Sequence, residues 1–248
     1  MSVMPSESSA STTVNSPRII FLRLSGLVLA LTLAGCATTG TVKQIDKLDS
    51  VDESANILVM SPDVKYYLLT ASGVPELEPE WTESARVNFS RSLQDFAADN
   101  EVEVMTMPED AQLSDVEISY QKLYSAVGST VLSHHYGQFK LPTKKGVFDW
   151  GLGPGVSEIG DKYGAEYALF TYYREYKASG GRVALSFFAA LAGVGLATGG
   201  EIGFASLIDL RSGDIVWFNK ITTGGELRDM QNARLTVDKL FKNIPLNE

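Results

Sequence analysis

The chain has one cysteine, Cys36, and it stands directly behind an apolar stretch near the N-terminus. Residues 19–35 read IIFLRLSGLVLALTLAG, and within them Leu24–Leu33 is a ten-residue apolar run with Ser25, Gly26 and Thr32 mixed in. A membrane-spanning helix needs about 20 apolar residues, so this run is too short to cross a bilayer comfortably. Arg18 and Arg23 give it a positive flank, and Ala34-Gly35 closes it with small residues, which is the layout of a secretory signal. A single cysteine forms no intrachain disulfide and supports no cysteine-based metal cluster. Whatever folds after the signal is therefore held by a packed core alone.

The boundary Leu33-Ala34-Gly35-Cys36 resembles the lipobox of bacterial lipoproteins. That resemblance implies diacylglycerol on the Cys36 sulfur, cleavage just before it, and acylation of the new amine by a fatty acid such as palmitate. Each buried methylene contributes roughly 0.8 kcal/mol, and one myristoyl chain alone holds only marginally. Two or three chains on one residue hold essentially permanently. By the same resemblance, Ala37 lacks the Asp that commonly retains lipoproteins in the inner membrane, so the outer membrane facing the periplasm is the expected location. The leader before Arg18 is long, polar and rich in Ser and Thr, with Met4 as a second candidate start.

Residues 1–35 thus read as the signal peptide, 36–55 as the lipidated cysteine and a flexible tether, and 56–248 as a single α/β domain. A coil of about 19 residues has an r.m.s. reach of order 25 Å. A short helix or an edge strand is the alternative for that polar segment. Thirty acidic against 21 basic side chains give a net charge of −9. Without residues 1–35, which hold Arg18, Arg23 and Glu7, the balance is 29 against 19, or −10. An acidic surface repels phosphate backbones, which argues against nucleic acid as the main partner.

Ile57-Leu58-Val59-Met60, stopped by Ser61-Pro62, predicts a buried strand that Tyr66–Leu69 extends after a bend. Ala85, Phe89, Leu93, Phe96 and Ala97 fall at helical spacing and predict a helix over about 82–99 with Thr82 as its N-cap. Val102–Met105 predicts a second strand, and Leu113 to Val131 a second helix over about 111–133. A short helix over 155–163 leads into Tyr167–Tyr176, a strand rich in aromatics. Ile202–Lys220 reads as a hairpin about Arg211-Ser212-Gly213-Asp214, where Gly213 supplies positive φ. Ala233 to Ile244 marks a C-terminal amphipathic helix. This order predicts an α/β fold, a mixed sheet of about five strands packed with helices.

Lys162–Leu169, with its Gly164-Ala165-Glu166-Tyr167 strand entry, and the Asp209–Trp217 hairpin resemble the periplasmic α/β domain of the CsgG-like, LpoB and TolB N-terminal group. The resemblance spans residues 56–244. It implies envelope assembly or scaffolding, with no cofactor and no catalytic residues to transfer, and, as an alternative, a subunit of an oligomeric CsgG-like export or membrane complex. Curli-type pore subunits carry pairs of membrane-spanning strands with alternating polarity. No clean pair of that kind is present here.

No Ser/His/Asp spacing, phosphate loop or HExxH motif occurs, and an enzyme is not expected. His134 and His135 are adjacent, pointing about 100° apart on a helix, and read as surface residues rather than metal ligands. Tyr167, Phe170, Tyr172, Tyr173 and Tyr176 read as core or sheet face, with a binding face as the alternative. Val183–Thr198 is a sixteen-residue stretch without a charge, framed by Gly180-Gly181 and Gly199-Gly200. Two readings stand: a buried connection packed on the sheet, or a contact for the bilayer or a neighbouring subunit anchored by Phe187 and Phe188.

Overall fold

Residues 167–178 are dense in Tyr and Phe, which suit a strand flanked on both faces, and they form the longest strand among the described residues. The computed structural model describes residues 45–46, 51, 55–107 and 112–246. Residues 1–35, read as a signal peptide, and Cys36 lie outside the described residues. The elements run β1 (Ile45–Asp46), β2 (Ile57–Val59), β3 (Asp63–Leu69), β4 (Pro75–Leu77), α1 (Pro79–Asp99), β5 (Met105–Thr106), α2 (Asp115–Val131), α3 (Ser157–Tyr163), β6 (Tyr167–Ala178), α4 (Gly180–Leu191), β7 (Gly199–Asp209), β8 (Ile215–Ile221) and α5 (Met230–Leu240).

The fold is the expected mixed α/β arrangement. β7 pairs antiparallel with β6 from Tyr167↔Asp209 to Lys177↔Gly199, and β8 pairs antiparallel with β7. On its other edge β6 pairs in parallel first with β2 and then with β3. The break at Ser61-Pro62 therefore divides one strand position into two segments, as the sequence predicts. β1, β4 and β5 are short outer additions on β8, β3 and β2. Ile45–Asp46 and the buried Val51, whose N–H donates to Pro245 O at 3.0 Å, lie inside the stretch read as tether. Apolar Val51 is better satisfied in the core than in water, so any free tether is shorter than 36–55.

Period-two alternation divides the strands between two cores. Val59, Leu169, Tyr173, Leu207 and Trp217 face α1 and α5, where Phe89, Leu93, Val237, Leu240 and Phe241 meet them. Leu58, Ala168, Phe170, Phe204, Ile208 and Phe218 face α2 and α3, against Tyr124, Val131 and Ile159. Both faces of β6 and β7 are covered, which explains why their sequences read as nearly continuous apolar runs. In α2, a Cβ at Gly128 would sit 2.0 Å from the Phe204 ring, so glycine is what lets the helix lie this close to the sheet.

Helix boundaries differ from the sequence expectation at their caps. α1 begins at Pro79, where Pro occupies the first turn, and not at Thr82. Thr82 instead uses its Oγ1 to accept from Tyr66 N at 3.0 Å, tying α1 to β3. α2 begins at Ser114, whose side chain and Glu117 form a reciprocal capping box. The second strand is only Met105–Thr106, because the buried Val102 does not pair with a strand and instead donates its N–H to Ala97 O at the end of α1, at 2.9 Å.

The β7–β8 turn follows expectation. Asp209 Oδ1 accepts from Arg211 N at 2.8 Å and Ser212 N at 3.2 Å, and Gly213 takes φ of 78°. A Cβ on Gly213 would approach Gly153 O to 2.1 Å, whereas one on Gly146, also at positive φ, would meet open space. Positive φ alone costs a non-glycine residue about 1 kcal/mol, and an unrelieved clash adds roughly 1–3 kcal/mol. Urea unfolding should therefore show Gly213→Ala destabilised by about 2–4 kcal/mol and Gly146→Ala by no more than about 1 kcal/mol. Equal losses would contradict the packing of the hairpin turn on the 151–153 segment.

Candidate functional site

The uncharged segment after β6 forms α4, and the structure corrects the reading of it as a buried connection. No residue of α4 is buried. Phe187 is 62% exposed, Phe188 66% and Leu191 73%, and Val183, Leu185 and Val194 are exposed as well. The segment becomes a helix because Ser179 caps it, its Oγ accepting from Arg182 N at 3.2 Å, and because Ala and Leu dominate its body. It ends at Gly193, φ 77°, where Val194 N bonds back to Ala189 O at 2.8 Å.

Only the root of α4 is fastened. Arg182 Nε donates to Ala197 O at 2.9 Å, and Nη1 reaches Ala71 O in the β3–β4 turn at 3.4 Å. Beyond Arg182 the helix projects with its apolar side chains uncovered, Phe187 and Phe188 packed edge to face at 5.7 Å. A helix that is apolar on most sides and uncovered by its own domain is suited to an apolar environment or a partner surface. Among the described residues no helix is long and apolar enough to cross a membrane.

The aromatic run of β6 is core and sheet face. Phe170 and Tyr173 are buried, and Tyr172 stacks on its cross-strand partner Phe204 at 4.5 Å. Tyr176 stacks on Tyr67 of β3 at 5.2 Å. His134 and His135 lie in a π-helical turn, Leu132–Tyr136. His134 Nδ1 bonds with Phe139 O at 2.7 Å, and the His135 ring packs against Phe148. Burial holds the His135 pKa below its usual value, with the Lys140 charge adding to it. No group of three or more potential metal ligands occurs among the described residues.

Two polar clusters were not visible from spacing. Beneath the 222–229 loop, Tyr66 OH donates to Glu175, Tyr173 OH donates to Glu201 Oε2 at 3.1 Å, and Glu201 Oε1 accepts from Gly224 N at 2.5 Å. Lys177 and Arg228 pair with Glu226, and the Arg228 guanidinium stacks over Trp81 at 4.1 Å. Burial pushes the Glu175 carboxyl up to about 7, and the charges of Glu201 and Glu226 add to this against hydrogen bonds from Tyr66 and Leu227. The residues come from β3, β6, β7 and the final loop, so only the folded sheet assembles them.

The second cluster centres on Glu117, which is 1% exposed. Burial disfavours its charge, but hydrogen bonds from Lys162 Nζ and Tyr163 OH, each at 2.6 Å, and from the Ser114 backbone prevail and hold it at about 2. These bonds clamp α2 to α3. An apolar cleft between α1 and β2, lined by Met60, Leu93, Ala97, Met107 and Phe241, has about 50 Å³ of space, room for a water or two.

No protein-family model matches the chain, and no curated protein matches it. Among solved structures, the chain is similar to the PelC dodecamer from Paraburkholderia phytofirmans, at 14% identity and a TM-score of 0.41 over 84% of this chain and 99% of that one. A second PelC dodecamer structure from that organism gives 15% identity and 0.37 over 81% and 96%. Lipoprotein GNA1162 from Neisseria meningitidis gives 13% identity and 0.29 over 67% and 80%. These values describe a partial likeness in the path of the chain and transfer no activity, ligand or assembly.

The two carboxylates act on stability in opposite senses. Glu175, raised from 4.5 to about 7, contributes stability that is full below 4.5 and lost as pH rises through about 7. Glu117, lowered from 4.5 to about 2, contributes above 4.5 and loses that contribution as pH falls through about 2. Urea unfolding across pH should show stability declining from pH 5 to 8, and Glu175→Gln should flatten that decline. An unchanged slope in the variant would exclude Glu175 as its source.

Proposed function

We propose that the chain is a membrane-anchored lipoprotein of the bacterial cell envelope, acting as a non-catalytic binding or scaffold module in envelope assembly. The observation that carries this reading is Leu33-Ala34-Gly35-Cys36 behind a short apolar run with a positive flank. Lipid on Cys36 anchors the chain, and the α/β domain stands within a few tens of ångströms of the bilayer. The outer membrane, facing the periplasm, is the proposed site, since Ala37 follows the cysteine. The non-catalytic reading is supported by the use to which the titratable clusters are put: Glu117 clamps two helices, and Glu175, Glu201 and Glu226 fasten a loop.

A second reading is favoured by the uncovered helix α4. In it the chain is one subunit of an oligomeric CsgG-like export or membrane complex. Light scattering on the detergent-solubilised protein separates the two, because a single large mass supports the complex and a monomer supports the scaffold.

Labelling with a clickable palmitate analogue tests the anchor. Wild-type protein should carry the label and sediment with outer-membrane vesicles, and Cys36→Ser should carry none. Ala37→Asp should shift the labelled protein toward the inner membrane. Label retained in Cys36→Ser would refute the assignment of the lipid to that residue.

A further inference from the structure

Ile45, the first described residue of the chain, lies at the end of β1 that faces the end of the sheet from which α4 projects. β6 finishes at Ala178 and β7 starts at Gly199, so α4 connects them at one end of the sheet. β8 runs toward that end, since its last residue Ile221 pairs with Gly203 while Ile215 pairs with Ile208. β1 is antiparallel to β8, with Ile45 opposite Phe218 and Asp46 opposite Trp217. Ile45 is therefore the end of β1 nearer α4.

Phe218 pairs with Ser206, seven residues along β7 from Gly199, a distance of about 23 Å. Cys36 lies nine residues before Ile45, which allows a reach of up to about 30 Å. A lipid on Cys36 can thus lie level with α4 without unpairing β1. It has little slack to lie much further away in that direction.

The surface at that end suits a bilayer. Between Ala178 and Gly200 the only charged residue is Arg182, at the helix root, in a chain whose net charge is −9. On a wheel of about 100° per residue, Val183, Phe187, Leu191, Phe188 and Leu185 occupy an arc of about 200°. A helix seated on one protein face buries a stripe of about 100° or a little more, whereas immersion in lipid wets a wider arc with apolar neighbours. Val74, in the turn that Arg182 contacts, is exposed as well. Twelve residues make a helix about 18 Å long, too short for the roughly 30 Å hydrocarbon core but suited to one leaflet.

We infer that α4 and the 192–198 loop are a second membrane contact, inserted into the leaflet that holds the acylated Cys36. This rests on the lipid-anchor reading for which leaflet is engaged. Arg182 stays at headgroup level while Phe187, Phe188 and Leu191 enter the acyl region. With two contacts at one end, the sheet is held end-on to the bilayer and does not swing on a tether. The opposite end, with the Arg211-Ser212 turn, is presented away from the membrane.

The test uses the full acylated protein carrying Phe188→Trp, bound to preformed vesicles of phosphatidylethanolamine and phosphatidylglycerol with brominated acyl chains. Subtracting the wild-type signal removes Trp81, Trp150 and Trp217. The added emission should be quenched at least twofold relative to unbrominated vesicles. Intact-mass measurement on the same sample reports the lipid. Acylated protein that sits on the vesicles with unquenched emission overturns the inference and leaves the anchor standing. Protein with no lipid that still binds and is quenched refutes the anchor and upholds the contact. Unquenched emission together with cross-linking between copies at residue 188 assigns α4 to a subunit interface and overturns the inference.

Discussion

Strand β6 is hydrogen-bonded along both edges, and nearly every other element is positioned by that pairing. β7 occupies one edge from Tyr167 to Lys177, and β2 followed by β3 occupies the other. Its alternate side chains feed both cores: Leu169 and Tyr173 toward α1 and α5, Ala168 and Phe170 toward α2 and α3. Arg174, buried on the same strand, pairs with Asp63 at 2.6 Å and also donates to the Asp63 carbonyl. That bond matters because a buried guanidinium left without its partner costs roughly 3–5 kcal/mol, so the start of β3 is fixed to β6 at one register. The rigid centre is what gives the two ends of the sheet distinct identities.

At one end, turns and polar loops close the strands. Asp209, Glu166 and the Gly213 turn satisfy their own backbone there, with Glu166 Oε2 accepting from Asn56 N at 2.6 Å. At the other end, an uncharged segment leaves the sheet as a helix that the domain does not cover. Burying a large apolar side chain contributes roughly 1.5–3 kcal/mol, and α4 leaves several such contributions unrealised in water. A helix of this length is also marginal by itself. The domain tolerates that cost where an environment outside it supplies the burial.

Much of this was legible from residue spacing. The Phe89–Leu93 and Val237–Leu240 patterns placed α1 and α5, and Gly213 placed the hairpin, because apolar periodicity and positive φ are local properties. What spacing missed depends on distant residues. Thr82 looks like an N-cap but bonds across to β3, and Val102 looks like a strand residue but bonds back to the end of α1. The Glu175 cluster draws side chains from β3, β6, β7 and the final loop, the Glu117 cluster draws them from α2 and α3, and the many other carboxylates gave no reason to single them out. Val183–Thr198 was legible as unusual by its lack of charge. Whether it lay inside or outside the core was a matter of sheet topology, since the buried alternative needed a face that α1, α2, α3 and α5 had already filled.

In the orientation inferred above, the lipidated chain holds its α/β domain with the α4 end at the bilayer and the hairpin turn away from it. A lipid on Cys36, as proposed, takes up the only cysteine of the sequence, so an introduced cysteine is a unique reporter. Acylated protein bound to preformed vesicles would be treated with a membrane-impermeant maleimide, comparing Val194→Cys with Ser212→Cys. That orientation predicts rapid labelling at position 212 and strong protection at position 194, with both sites labelled once the vesicles are dissolved in detergent. Equal labelling at the two positions on intact vesicles, or protection at 212 instead, would contradict it.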